Sequence, residues 1–192
     1  PGSAGRTGRL LTAAGTAMLV ATVVAVFSPC LFNGFVADDR GYILNNPAVR
    51  EFSLRGFLRL WTTPFCHSYV PLTMVSFWAD SFLWDSAAFG FHAVNLVLHL
   101  AVCLLVWLFA WRLTRKPAAG FLAAILFAIH PLRVEAVAWV SSRKDLLSAV
   151  FFLAGLMAYD GWRQEGGRRR YGVALACSVC AMTASSAMFR CC

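Results

Sequence analysis

Two adjacent carboxylates, Asp38 and Asp39, stand in the stretch FNGFVADDR, directly after the first long apolar run. At a membrane boundary, loss of water and repulsion between like charges both make a carboxylate more basic. Such a group can act as a general base for a hydroxyl nucleophile or as a ligand for a divalent cation, although nothing in the sequence requires a cation. The alternative is an acidic turn that stays hydrated. The pair therefore marks one candidate site.

A second group of charges lies in the stretch HPLRVEAVAWVSSRKDLLS, where Glu135, Arg143, Lys144 and Asp145 come close to the expected bilayer depth. Charges at that depth are costly unless they face water, a partner or a substrate. Arg143 and Lys144 are suited to binding a phosphate. The alternative is that both basic side chains simply extend to the lipid headgroups.

Histidine and cysteine side chains are better explained by packing than by metal binding. His92, Asn95 and His99 share one helix face, which favours hydrogen bonds between helices over metal ligation. The cysteine count is seven, an odd number, and most of them lie in apolar runs, which argues against a disulfide framework. The pair Cys177 and Cys180 has CxxC spacing without a second pair, so packing is favoured. A disulfide between Cys30 and Cys66 stays open.

The elements that must position these residues follow from composition. The 192 residues are 59% hydrophobic and 14% charged, with a mean hydropathy of +0.66 and a net charge of +8. A soluble nucleic-acid-binding domain carries much more charge, so no nucleic-acid partner is expected. Aromatic residues make up 14% of the chain, which excludes a disordered polypeptide. We therefore predict an all-α, multi-pass helical membrane protein.

Uncharged runs of near spanning length divide the chain into five predicted spans. A cleaved signal peptide is the alternative for the first of them. The spans are residues 10–30, 91–111, 118–132, 146–162 and 171–189, and the fifth is rich in small and polar residues. Between them lie a tail at 1–9, basic links at 112–117 and 163–170, and loops at 31–90 and 133–145.

The basic residues separate by side. The tail and the two basic links hold nine Lys and Arg residues against Asp160 and Glu165, a net charge of +7. The remaining connections hold seven basic and seven acidic residues and are neutral in sum. Because Lys and Arg favour cytoplasmic links, the N-terminus is predicted to be cytoplasmic and the two longer loops to lie outside.

The first outer loop, 31–90, has internal structure. Asn45, Asn46 and Pro47 predict a turn. Ser53 predicts the N-cap of an interfacial helix in SLRGFLRLW. After Pro71, the apolar stretch LTMVSFWADSFLW is too short to span and is expected to lie along the surface or to re-enter.

The order of these motifs resembles a known family. FNGFVADDRGYILNNPAV, YVPLT, FGFHAVNLVLH and HPLRVEAVAWVSSRKDLLSAVFFLAGLMAY together resemble the N-terminal membrane region of the TMTC family and of its bacterial tetratricopeptide-repeat relatives. The resemblance covers roughly residues 30–162. It implies a partial fold of the GT-C glycosyltransferase type, with juxtamembrane helices in the first outer loop. No tetratricopeptide-repeat pattern follows, so the chain is expected to be an incomplete fragment whose isolated activity is doubtful.

The resemblance also implies a reaction. An inverting GT-C enzyme transfers a sugar, mannose in eukaryotic members, from a polyprenyl-phosphate donor to a Ser or Thr hydroxyl of an acceptor protein. Asp38 and Asp39 match its first acidic motif as general-base candidates, and Glu135 or Asp145 would supply a second acidic position. Arg40, Arg143 and Lys144 are the candidates for the donor phosphate. The sequences of these motifs are more similar to those of the bacterial relatives, which favours a bacterial inner membrane, with the endoplasmic reticulum membrane as the alternative. The rival function is a non-catalytic membrane anchor.

Overall fold

The computed structural model describes residues 2–65 and 68–185, with side chains described from residue 12 onward. The described residues form helices and no strand apart from an isolated bridge between Phe65 and Ser68. This confirms the predicted all-α fold. The helices are α1 Gly2–Phe27, α2 Pro47–Arg50, α3 Leu54–Thr62, α4 Pro71–Trp84, α5 Ala88–Thr114, α6 Pro117–Ala128, α7 Arg133–Ala138, α8 Arg143–Glu165 and α9 Arg168–Ala184. Three short helical turns join them at Ser28–Phe32, Arg40–Leu44 and Val140–Ser142.

Two segments are long and apolar enough to cross a membrane, Thr12–Phe32 and Ala88–Thr114. Only 17% of the first and 28% of the second are buried inside the molecule. The core helix of a soluble protein is mostly buried, so the outward apolar surface of both segments indicates contact with lipid. The structure therefore supports membrane association.

Each of the five predicted spans overlaps a helix over its described residues, while the crossing of the last three stays a prediction. Residues 91–111 lie within α5 and residues 146–162 within α8. The run predicted at 118–132 ends earlier, because α6 stops at Ala128, ahead of His130 and Pro131. The residue before a proline disfavours helical geometry, which accounts for this end. Residues 186–189 of the fifth predicted span lie outside the described residues.

In the first outer loop the structure confirms a helix capped by Ser53, whose place at a membrane interface stays a prediction. A short helix, α2, begins where a turn was predicted at Asn45, Asn46 and Pro47. The Ser53 hydroxyl accepts a hydrogen bond from the Gly56 amide at 3.1 Å and caps α3, while the Asn46 side chain accepts one from the Ala48 amide at 3.0 Å and caps α2. Helix α3 buries Leu60 and exposes Leu54, Leu58 and Trp61, as an interfacial helix would.

Helix α4 contributes one face to a buried cluster, while its course along the membrane surface or back into the membrane stays a prediction. Met74 and Phe77 are buried, and they belong to a cluster at the outer end of the molecule. Its other buried members are Tyr42, Ile43, Ala48, Val49, Leu60, Val70, Phe91 and Val140. A second cluster joins the spans through α1, α5 and α6, and it contains Leu19, Val23, Phe27, Cys103, Trp107, Ala124, Ala128 and Val137. The molecule therefore has two separate apolar cores, one around α2, α3 and α4 and one around α1, α5 and α6.

Helices α8 and α9 pack as a hairpin across Gly166 and Gly167. Their φ angles of 71° and 97° lie where glycine is favoured over other residues. The Cβ of Cys177 lies 3.2 Å from the position that a Cβ on Gly155 would take, so this cysteine fills the helix interface. Cys66, the possible disulfide partner of Cys30, lies outside the described residues.

Candidate functional site

Asp39 joins the two outer loops. Its side chain is completely buried, and its Oδ2 accepts a hydrogen bond from the Val36 amide at 3.0 Å. Its Oδ1 accepts one from the Ser141 amide at 2.8 Å and a short one from the Ser141 hydroxyl. Hydrogen bonds to an ionised carboxylate are roughly twice as strong as neutral ones. The carboxylate is therefore a clasp between residues 31–90 and 133–145.

The local backbone explains how Asp39 reaches Val36. Ala37 has a φ of 43°, in the left-handed region that residues other than glycine seldom adopt. This conformation turns the chain, and the Asp39 amide donates to the Val36 carbonyl at 3.0 Å while its carboxylate accepts from the Val36 amide. The turn at Arg40–Leu44 then begins directly after the acidic pair. Strain of this kind accumulates at functional positions, where the surrounding contacts hold it in place.

The two aspartates occupy different environments. Asp38 is exposed, and its carboxylate makes no hydrogen bond or ion pair with the described residues. The oxygens of Asp39 are both engaged by protein donors, whereas those of Asp38 are free for a ligand from outside. Arg40, one residue further, is exposed as well and also lacks an ion-pair partner among the described residues. The accessible carboxylate of this pair is thus Asp38.

Arg143 is completely buried and bonded to its surroundings through most of its guanidinium. Its Nη1 lies 2.5 Å from Oδ2 of Asp80 and 3.3 Å from the Ser76 hydroxyl. Its Nε donates to Oδ1 of Asn95 at 2.7 Å, and its Nη2 donates to the Phe91 carbonyl at 2.8 Å. These bonds connect α4, α5 and the first residue of α8. We call this group the Arg143 network.

Two aromatic rings complete the enclosure of this guanidinium. Its central carbon lies 4.7 Å from the ring centre of Phe77 and 5.8 Å from that of Phe91, within the range of cation–π attraction. Burial lowers the pKa of Arg143, and the neighbouring Asp80 carboxylate opposes that effect. Because arginine is a very strong base and Asp80 lies beside it, the side chain keeps its charge at neutral pH. Arg143 was one of three candidates for the donor phosphate, and in the structure its guanidinium contacts protein partners.

Asn95 and His99 confirm the prediction that α5 carries interhelical hydrogen bonds. Asn95 Nδ2 donates to the Trp139 carbonyl at 3.2 Å, and the His99 Nε2 lies 3.3 Å from the Ala128 carbonyl. His92 lies buried beside the backbone of Asn33 and Gly34 and near the charges of Asp39 and Arg143. It is therefore the side chain that lies between the clasp and the Arg143 network.

The remaining predicted residues face outward at the second loop. Glu135 and Asp145 are exposed, and Lys144 is half-buried. Although much of the Asp145 residue is exposed, loss of water around its carboxyl group raises its pKa. The charges of Lys144 and Arg133 lower that pKa, and the charge of Glu135 raises it. In the described part of the chain, no hydrogen bond links Glu135 or Asp145 to the acidic pair Asp38 and Asp39. In residues 2–65 and 68–185, no three His, Cys, Asp or Glu side chains form a group that could hold a metal ion.

Three residues of the clasp and of the Arg143 network were not predicted from the sequence: Ser141, Asp80 and Ser76. Asp80 had a usable signal, because a carboxylate inside an apolar helix of fourteen residues needs a cationic partner when it is buried. Ser141 and Ser76 carried no signal, since serine is compatible with almost any position in a loop or a helix end.

Comparison with known proteins gives relatives but no structural counterpart. Mouse protein O-mannosyl-transferase TMTC3 is 36% identical over 150 residues, which is 74% of this chain and 16% of the relative. Drosophila melanogaster protein O-mannosyl-transferase Tmtc1 is 34% identical over 193 residues, which is 93% of this chain and 22% of the relative. Human protein O-mannosyl-transferase TMTC4 is 36% identical over 167 residues, which is 74% of this chain and 22% of the relative. No protein-family profile and no solved structure matches the chain.

The matches cover only a small part of each relative, so the function of a whole relative does not follow for this chain. The chain spans only 16% to 22% of the length of these three relatives, so their complete architecture lies largely beyond the matched region. Identity of this level over most of a 192-residue chain nevertheless establishes descent. Over most of its length, this sequence belongs to the TMTC family.

Proposed function

We propose that this chain forms part of a membrane glycosyltransferase of the GT-C type. It transfers a sugar, mannose by analogy with the relatives, from a polyprenyl-phosphate donor to a Ser or Thr hydroxyl of a protein. The observation that carries the proposal is the arrangement of the acidic pair. Asp38 is exposed, and its carboxylate has no partner among the described residues. It lies directly beside Asp39, whose buried carboxylate joins both outer loops.

Asp38 is the general base in this proposal. The attacking hydroxyl must lose a proton as it bonds to the sugar, and a carboxylate within hydrogen-bond reach accepts that proton. Attack on the side opposite the leaving phosphate gives inversion at the sugar carbon. Asp39 holds Asp38 in place through the clasp and does not itself contact the acceptor. Glu135 and Asp145 remain candidates for a second acidic position.

Lys144 and Arg40 are the cations for the donor phosphate. The departing lipid phosphate develops negative charge, which a nearby cation stabilises. Arg40 is exposed beside the acidic pair, and Lys144 is half-buried beside Arg143. Arg143 has most of its N–H groups directed at protein atoms. We therefore assign Arg143 the role of fixing the start of α8, next to the candidate Lys144.

The proposed location is a membrane whose non-cytoplasmic side carries the two outer loops. A lipid-linked donor lies in the bilayer, so a site at the end of the two apolar segments meets it directly. The three relatives compared above are animal proteins, which favours the endoplasmic reticulum over a bacterial inner membrane. The cytoplasmic N-terminus follows from the charge distribution of the links.

The test is sugar transfer from labelled polyprenyl-phosphate mannose to an acceptor protein. Membranes should contain the longest open reading frame that includes these residues, because the matched relatives are several times longer. Asp38→Asn is expected to lower transfer by about 10²- to 10⁴-fold, the usual contribution of a general base. The protein level and helix content of the variant should stay unchanged.

Asp85→Asn is the matched control. Asp85 lies in the same outer loop, is exposed, and pairs with Arg50 at 2.9 Å at the surface, so its replacement should leave transfer within twofold. Full transfer by Asp38→Asn would reject Asp38 as the base. Absence of transfer by the unmodified protein with every polyprenyl-phosphate sugar would favour the rival function, a non-catalytic membrane anchor.

A further inference from the structure

A cavity of about 470 Å³ lies at the basic end of the helices, away from the outer loops. Three helices contribute to it. Arg112 comes from the last turn of α5, Arg115 follows that helix, Asp160 and Glu165 come from α8, and Arg170 comes from the first turn of α9. The proposed reaction uses none of these residues.

The charges in this cavity are unequally compensated. Arg170 lies 2.6 Å from Glu165, and its Nη1 also donates to the Gly161 carbonyl at 3.1 Å. Arg112 has only a carbonyl partner, Met157, at 3.4 Å. In the described part of the chain neither Arg112 nor Arg115 forms an ion pair, and Arg115 makes no side-chain hydrogen bond. Two guanidinium groups are thus available to an anion.

The backbone at Arg115 is itself unusual. Arg115 has a φ of 57° and a ψ of 12°, the left-handed conformation that often ends a helix. Glycine or asparagine normally takes this position because a Cβ is disfavoured there. An arginine at the helix end places a long cationic side chain on the cavity wall, at the cost of backbone strain.

An adjoining recess of about 320 Å³ shares both arginines. Trp111 and Leu108, about one and two turns from the end of α5, line its other side. Arg112 and Arg115 therefore stand between a polar cavity and a partly apolar one. Phosphate oxygens suit the planar guanidinium groups, and the hydrocarbon of a lipid suits leucine and tryptophan.

We propose that this composite cavity binds the phosphodiester headgroup of an anionic membrane phospholipid. The phosphate lies between Arg112 and Arg115, and the glycerol and upper acyl chain lie against Leu108 and Trp111. The position fits this ligand, because α5 is long and apolar enough to cross a membrane and the cavity lies at its end, where the headgroups would meet such a helix. Basic pockets between spanning helices commonly bind such headgroups.

The experiment measures binding of short-chain lipids to the 192-residue protein in mild detergent. Dioctanoyl phosphatidylglycerol is expected to bind at least tenfold more tightly than dioctanoyl phosphatidylcholine, as measured by native mass spectrometry and by titration of tryptophan fluorescence. Arg112→Gln/Arg115→Gln should weaken phosphatidylglycerol binding at least tenfold. Inorganic phosphate, the third ligand, should bind at least tenfold more weakly than phosphatidylglycerol.

Arg168→Gln/Arg169→Gln is the matched control. It removes the same charge from the neighbouring basic segment, and neither residue lines the cavity. This variant should change phosphatidylglycerol binding less than twofold. An equal loss in both double variants would mean attraction by net charge alone and would overturn the site. Equal affinity for phosphatidylcholine would overturn the requirement for an anion.

Two further measurements keep the result interpretable. If inorganic phosphate binds as tightly as phosphatidylglycerol, the ligand is a soluble phosphate and the lipid assignment is rejected. Arg115→Gln alone removes a side chain with no internal partner, so it retains the fold even where the double variant does not, as circular dichroism can verify. This single variant should weaken phosphatidylglycerol binding at least threefold, and unchanged binding would reject the site.

Discussion

The two ends of this molecule use arginine in opposite ways. At the outer end, Arg143 is completely buried and is neutralised by Asp80 within the protein. At the basic end, Arg112 and Arg115 line an open cavity without an acidic partner in the described residues. A charge removed from water must be satisfied internally, so it serves the fold. A charge left at a rim without a partner remains available to a ligand.

The acidic pair repeats this contrast within two residues. Asp39 is buried with three hydrogen bonds, whereas Asp38 is exposed with none from its carboxylate in the described part of the chain. Neighbouring residues of one type can therefore have separate roles, one structural and one chemical. Stability measurements can distinguish them, because only the internally bonded charges should lower the free energy of unfolding when they are removed.

The largest effect is expected from Asp80→Ala. This change leaves the buried guanidinium of Arg143 without a counter-charge, and removal of one partner from a buried ion pair costs about 3–5 kcal/mol. Asp85→Ala breaks the ion pair with Arg50 at the surface, where the arginine side chain is 41% exposed and the aspartate side chain 82% exposed. Its loss should therefore cost less than about 1 kcal/mol. Denaturant unfolding in mixed micelles, followed by circular dichroism, measures both. Equal losses would contradict the contrast between buried and exposed charges.

An intermediate effect is expected from Ser141→Ala. The hydroxyl donates to the Asp39 carboxylate, and a hydrogen bond to a charged group contributes about 1.5–3 kcal/mol. Ser142, the next residue, is buried as well but makes no side-chain hydrogen bond in the structure, so Ser142→Ala should cost less. The same unfolding assay compares the adjacent serines. A larger loss from Ser142→Ala would show that the clasp contributes little to the outer end.

A smaller effect is expected at the basic end from Gly120→Ala. A Cβ there would lie 2.8 Å from the Trp107 carbonyl oxygen, a backbone atom of α5, so α5 and α6 would have to separate. Overpacking of this kind costs about 1–3 kcal/mol.

Gly172→Ala is the control for this substitution. A Cβ on Gly172 has no neighbour within 4 Å, and alanine in a helix is favoured over glycine by about 0.5–1 kcal/mol. The transition midpoint should therefore fall for Gly120→Ala and rise for Gly172→Ala. A rise for both would show that the close approach of α5 and α6 is easily relaxed.

Patterns in the sequence were sufficient for features that are local in the chain. The Ser53 cap follows from residue type and position, and the apolar run around Ala88–Thr114 requires no tertiary information. The face shared by His92, Asn95 and His99 was also predictable from helical spacing. Each of these features depends on interactions within about one turn of helix or on simple partition into lipid.

The partners of the buried charges could not be predicted in the same way. Sequence reasoning gave Arg143 as one candidate for the donor phosphate, and it could not show that Asp80, 63 residues earlier, packs against it. It also left Asp38 and Asp39 equivalent, because their difference depends on the φ of Ala37 and on Ser141. Pairings of this kind arise from the packing of α4, α5 and α8, and residue type alone does not specify that packing.

The separation of 102 residues between Asp39 and Ser141 has a consequence for biosynthesis. A ribosome that adds about 5–20 residues per second needs about 5–20 s to make the intervening chain, including α4, α5 and α6. During that interval the Asp39 carboxylate has none of its long-range donors, and the acidic pair cannot take its final position. The clasp can close only after α4, α5 and α6 have been synthesised, so its closure reports that residues 31–90 and 133–145 have come together in space.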